Sequence, residues 1–182
     1  MLAAVLAGLL AAPASGHAFE SWVQLRDAGV VRQARDFSCG VASLATLLRA
    51  WGIGEVTEAG LLRDLLADSE RESARRLAQR GVSFAQLADL ARRRGFSALG
   101  IDVATADLAR LRHPVIVALD VGAGMHFSVL RGITASGAVL LADPSWGNRW
   151  LSAWEFRRYY EDEAGRGRLL LIHRPGAALA PR

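Results

Sequence analysis

Gln33-Ala-Arg-Asp-Phe-Ser-Cys39-Gly40-Val41-Ala-Ser-Leu44-Ala45-Thr-Leu-Leu48-Arg-Ala-Trp51-Gly52 holds the single cysteine of the chain at what reads as the start of a helix. Val41, Leu44, Ala45, Leu48 and Trp51 recur at the three- and four-residue spacing of one apolar helix face, with Gly52 as the expected stop. Cys39 and Gly40 then fall in the first turn. Backbone N–H groups there lack helical acceptors and the positive end of the helix dipole favours an anion, so a thiolate is stabilised relative to a thiol. The same position also suits a small core residue, because free cysteine is among the most buried residue types. The rest of the chain has to decide between the two.

Met1 to Ala14 carries no charged side chain and is followed by Ser15-Gly16-His17-Ala18, the pattern of a secretory signal with cleavage after Ala18. It falls short of the roughly 20 apolar residues of a comfortable membrane span. No Lys or Arg precedes Arg26, so the alternative is a segment that stays as an inner-membrane anchor. Residues 1–18 therefore read as an export signal, 19–174 as one domain and 175–182 as a flexible tail, with the mature chain periplasmic or exported. Phe19 to Arg182 is enough for one domain with a real core and too little for two ordinary ones. A lone cysteine in an exported chain cannot close an internal disulfide, so it is either a free reactive thiol or pairs with another molecule, which favours function over scaffold. All 22 basic residues are Arg, against 18 acids, for a net charge of +4. They are scattered apart from Arg92-Arg93-Arg94, with no aromatic-interleaved patch, so no nucleic-acid partner is expected.

Phe19 to Arg32 reads as an irregular segment. Thr57 caps a helix over Glu58 to Leu66, and Ser83 with Gln86 forms a capping box for a third, stopped by Gly95. Between them, Asp68 to Arg80 is a charged run, an exposed helical flank or mobile excursion or, less simply, a substrate-docking arm. The period then changes. Phe96 to Val103 and Val115 to Asp120 read as strands around a helical turn at Thr105 to Arg112, followed by His126 to Ile133, a turn at Thr134-Ala135-Ser136-Gly137, and Ala138 to Asp143. If Ile133 stands opposite Ala138, position 128 faces 143. His126 is then a diagonal neighbour of Asp143 on the same face, and a slip of one residue would separate them. Ser152 and Glu155 box a short helix over Ala153 to Tyr160, and Leu169 to His173 is a last strand. Trp146, Trp150 and Trp154 suit either plain core or the wall of a peptide groove. The fold class is α+β, N-terminal helices packed on an antiparallel sheet.

Cysteine, histidine and aspartate in that order suit nucleophilic acyl transfer: a thiolate attacks a carbonyl, an imidazole moves the proton, and a carboxylate fixes the imidazole tautomer. Gln33, in the loop before the helix, could set its side-chain amide beside the Cys39 N–H as an oxyanion donor. His17, His113 and His173 have no such company. No metal-ligand spacing is present and no cofactor is expected.

Gln33, Cys39-Gly40, Ala42, Leu44 to Leu48 and Gly52, with His126-Phe127, Val129-Leu130, Asp143-Pro144 and Gly147, resemble the bacteriocin-processing cysteine peptidase domain over Val31 to Arg174. The resemblance implies a papain-like fold and cleavage of a peptide or protein substrate after a double glycine. It also implies Cys39 as nucleophile, His126 as general base, Asp143 as orienting acid and Gln33 as oxyanion residue. Three departures stand out. Ser38 occupies the place where the family usually has Asp. The chain to Arg182 contains no transporter spans or Gly-Lys ATPase motif, and the N-terminal signal would put the domain outside the inner membrane. The expectation is a stand-alone exported peptidase, of the kind that accompanies secretion systems for peptides or fibres. An inactive peptide-binding module and a papain-like acyl transferase remain the alternatives.

Overall fold

The computed structural model describes residues 21–67, 71–122 and 124–175. The expected signal at 1–18 and almost all of the tail at 175–182 lie outside them. Capping chemistry sets most helix starts. Thr57 accepts from the Gly60 N–H to open α3 (Glu58–Leu66), and reciprocal Ser83–Gln86 and Ser152–Glu155 boxes open α5 (Phe84–Arg92) and α7 (Ala153–Tyr160). A further box, Ser21 with Gln24, opens α1 (Trp22–Asp27), so the N-terminal segment is not irregular as its sequence suggests. The charged run forms α4 (Arg71–Arg80), and α6 (Thr105–Leu108) is a single turn.

The central element is α2 (Cys39–Ala50), which ends two residues earlier than its pattern indicates, with Gly52 at φ 76°. Every residue from Cys39 to Leu48 is buried. The expected single stripe is therefore wrapped on all sides. Gly40, Ala42, Ser43, Ala45 and Thr46 are small enough to let the sheet, α3 and α5 approach the faces that Leu44, Leu47 and Leu48 do not cover. Trp51, expected on the buried stripe, is only partly covered. A Cβ on Gly40 would overlap the Val82 side chain and lie 2.9 Å from Phe127 Cδ2. The residue after the cysteine is small because Val82 and Phe127 fill its space.

Strands β1 (Ser97–Ala104), β2 (Val115–Asp120), β3 (Met125–Ile133), β4 (Val139–Asp143), β5 (Gly147–Leu151) and β6 (Arg166–His173) form one antiparallel sheet in the order β1-β6-β2-β3-β4-β5. The short β5, unforeseen in the sequence, follows a tight turn in which Gly147 has φ 83°. Alternation divides the core. Ile116, Ala118, Phe127, Val129 and Leu170 pack toward α2 and α5, while Val115, Val117, Leu141 and Leu169 pack toward α7. This is why β2 reads as an unbroken apolar run.

The β3–β4 register positions the site. Ile133 pairs with Val139, one residue beyond the partner expected from the turn, because the connection holds one more residue. The ladder then shifts between Leu130 and Gly132, leaving Leu130 opposite Leu141 and Val129 opposite Ala142. The bulge at Arg131 absorbs the discrepancy, and position 128 comes into step with 143 as the sequence indicates.

Candidate active site

Three chain segments converge. Cys39 opens α2, His126 stands near the start of β3, and Asp143 ends β4. His126 Nε2 lies 3.0 Å from Asp143 Oδ2. The other carboxylate oxygen accepts the Ser145 N–H at 2.8 Å and the Trp146 N–H at 3.1 Å, so the Pro144-Ser145-Trp146-Gly147 turn fixes the acid it follows. Asp143 is 2% exposed. With Nε2 engaged, Nδ1 is the ring nitrogen left for the Cys39 sulfur, whose titration is also lowered by the backbone N–H groups of Phe127 and Gly40.

The electrostatics follow from these contacts. Burial alone would raise the Cys39 thiol, but the His126 hydrogen bond, the Phe127 N–H and the imidazolium charge outweigh it and hold the thiol below its ordinary value. Burial would likewise depress His126, yet Asp143 and then Cys39 raise it to about 9. Asp143, despite its burial, is held below the usual carboxylate range by His126 and by the two backbone donors. The contacts thus bias the pair toward a thiolate beside an imidazolium backed by a carboxylate.

Gln33 is brought near the acid's turn rather than visibly onto the sulfur. Its N–H donates to the Pro144 carbonyl at 3.0 Å, its Oε1 accepts from Ser145 Oγ at 2.8 Å, and its Nε2 donates to the Arg35 carbonyl at 3.0 Å. One amide N–H is left over. Several residues to which the sequence assigns no role at the site support it. Arg32 donates to the carbonyls of Pro144 and Ser145 and pairs with Asp27. Glu58, buried at the start of α3, accepts the Ala34 N–H on both carboxylate oxygens. Ser38, fully buried, donates to the Arg35 carbonyl at 2.7 Å instead of capping α2. Ser43, one turn after Cys39, donates to the Phe127 carbonyl at 3.1 Å. The signal for Ser43 was available, since a serine four residues from the cysteine inside an apolar helix needs a buried partner. Glu58 gave no such signal, because an acid at a helix start is ordinary.

A cleft of about 840 Å³ opens beside Cys39. Phe37, Phe84 and Phe127 line it, with the last two rings 5.0 Å apart. The second half of α4 forms another wall. The tryptophans weighed as core or groove wall are neither: Trp146, Trp150 and Trp154 are 66%, 58% and 67% exposed, and none lines this cleft. Gly124 does line it; Gly122 and Gly124 adopt φ 81° and 127°, so the turn itself calls for glycine at both.

Residues 27–165 match the model of the Peptidase C39 family. A probable functional amyloid protease FapD of Pseudomonas aeruginosa is 30% identical over 155 residues, 83% of this chain and 66% of that protein. The FapD of Pseudomonas fluorescens is 30% identical over 75% of this chain and 59% of that protein. The chain thus spans less than two thirds of the length of these relatives. An uncharacterized protein of Methanothermobacter thermautotrophicus is 32% identical over 83% of this chain and 92% of its own length. Among solved structures, a double glycine motif protease from an AMS/PCAT transporter, in complex with the leader peptide, superposes with a TM-score of 0.61 at 23% identity, covering 79% of this chain and 89% of that one. The peptidase domain of Streptococcus ComA gives 0.61 at 20% identity over 80% and 97%. At such identities these likenesses establish the fold: α+β and papain-like, with helices on an antiparallel sheet.

Proposed function

Because the chain belongs to the peptidase C39 family, we propose that it is a thiol peptidase with Cys39 as nucleophile, His126 as acid and base, Asp143 as orienting group and Gln33 as oxyanion donor. The observation that carries this is the Cys39–His126–Asp143 convergence at the N-terminus of α2. The Cys39 thiolate attacks the scissile carbonyl carbon. The oxygen that gains charge is met by the Cys39 N–H, which has no acceptor within the helix, and by the spare Gln33 amide proton. His126 passes its proton to the leaving nitrogen as the C–N bond breaks, leaving an acyl-cysteine. It then takes a proton from the water that attacks the thioester, and the sulfur departs as thiolate. Asp143 holds the imidazole with Nδ1 toward the sulfur throughout.

The finer reading is cleavage after a small-residue pair such as Gly-Gly. It is supported by the likeness to a double glycine motif protease bound to its leader peptide and by the aromatic cleft, which can hold apolar residues farther along the substrate. Residues 1–18 act as an export signal cleaved after Ala18, 19–174 form the peptidase domain, and the enzyme works in the periplasm or cell envelope. The FapD relatives are named probable functional amyloid proteases, which favours a role beside a fibre or peptide secretion system. Mass spectrometry of Gly-Gly-containing peptides incubated with the wild type and with Cys39→Ala tests the assignment. Hydrolysis at the pair by the wild type alone is expected. Equal activity in both would overturn it, and transfer of the acyl group to an added amine instead of water would make the chain a transferase.

A further inference from the structure

The cleft carries charge that the cleavage chemistry does not use. Beside Cys39 its lining is aromatic, but Arg80 at the end of α4 and Arg168 on β6 also border it, both exposed. Among the described residues neither makes an ion pair or hydrogen bond, although Asp102 stands directly across the β1–β6 ladder from Arg168. The only acid lining the cleft, among the described residues, is Asp36, three positions before Cys39. One unpaired surface arginine is ordinary; two bordering the space that opens at a reactive thiol are a feature a ligand would meet.

The sheet supplies a distance. Val117 pairs with Leu169, so Ala118 is in step with Arg168, and Ala118 pairs with Phe127, which lines the cleft together with Cys39. Arg168, Ala118 and Phe127 all line the cleft and form a row across three neighbouring strands. At about 4.8 Å per strand spacing, Arg168 stands about 10 Å from Phe127, and an extended peptide covers that span in about three residues at ~3.3 Å each.

We infer that the cleft selects an anionic peptide, one with a glutamate or aspartate about three residues from the scissile bond, whose carboxylate is held by Arg80 and Arg168. The inference rests on the cleft being the substrate site and deepens that reading. A guanidinium fork matches a carboxylate in geometry and charge. Because both arginines are exposed, the gain is modest and screened by salt.

The test uses full-length Cys39→Ala protein, so that binding is read without cleavage. Fluorescent peptides with a central Gly-Gly carry one glutamate at the second, third or fourth position on either side of the scissile bond, with glutamine controls. Glutamate at the favoured position should bind about fivefold more tightly than glutamine, equivalent to about 1 kcal/mol. The preference should shrink at high salt and reverse in Arg168→Glu and Arg80→Glu, each checked for an unchanged melting temperature. Equal binding of glutamate and glutamine peptides at every position, or a preference untouched by both reversals, overturns the inference. Cleavage by the wild type without charge preference removes the clamp and leaves the peptidase. Charge-selective binding without any cleavage does the reverse.

Discussion

Replacing Asp143 by asparagine changes one charge at a site whose geometry is otherwise kept. The amide oxygen still accepts the Ser145 and Trp146 N–H groups, which lie 2.8 and 3.1 Å from Oδ1. The amide NH₂ then takes the place of Oδ2, 3.0 Å from His126 Nε2, and can only donate. That ring nitrogen is forced to accept, its proton moves to the side facing Cys39, and the imidazolium loses its counter-charge. The size of the effect comes from the His126 titration, raised from 6.5 to about 9 in spite of burial by Asp143 first and Cys39 second. That rise corresponds to about 3 kcal/mol of preference for the charged ring. Losing most of it is expected to lower kcat/KM by about a hundredfold. NMR of the His126 ring should show its titration moving down toward or below the ordinary histidine value. The linkage has a definite sign. A group raised in the folded state stabilises fully below its unfolded value of 6.5, and that contribution fades as pH rises through about 9. Urea titrations should therefore show the variant losing most relative to wild type near pH 6, where Asp143 is ionised, and least above pH 9. An unshifted histidine with activity within a factor of two of wild type would refute the reasoning.

Gly40→Ala should destabilise the domain by about 1–3 kcal/mol in urea unfolding, because the added methyl meets Val82 and Phe127 in a filled core. Ser43→Ala removes the buried hydrogen bond to the Phe127 carbonyl and should cost about 1 kcal/mol. Since the Phe127 backbone N–H helps hold the Cys39 titration down, this variant should also slow alkylation of Cys39 at neutral pH, whereas a serine with a packing role alone would leave the rate unchanged.

The chemistry-bearing pattern was legible because it depends on short-range rules. The two capping boxes around α5 and α7 and the Thr57 cap fix helix starts from residues three positions apart. The His126–Asp143 pairing was legible for a less comfortable reason. The sequence marks a four-residue turn where five residues connect Ile133 to Val139, and the bulge at Arg131, invisible in the sequence, restores the register. Arg131 reaches from that point to the Gly29 carbonyl and to Asn148 Oδ1, tying the N-terminal segment to β5. Such long-range contacts are what local pattern leaves out. The short α1 buries none of its own residues, so it shows no apolar period, and β5 is a brief edge strand with little alternation. The support of the Gln33 loop by Arg32 and Glu58 joins residues far apart in the chain, and nothing local marks it.

The claim that Cys39 is a thiolate paired with His126 is tested most directly by the rate of iodoacetamide labelling as a function of pH, followed at Cys39 in the wild type and in His126→Ala. The contacts of the sulfur place the wild-type midpoint below the free-thiol value of about 8.5, with the midpoint rising when the imidazole is removed. A midpoint at or above the free-thiol value, the same in both proteins, would contradict the account and make the cysteine at the head of α2 a core residue.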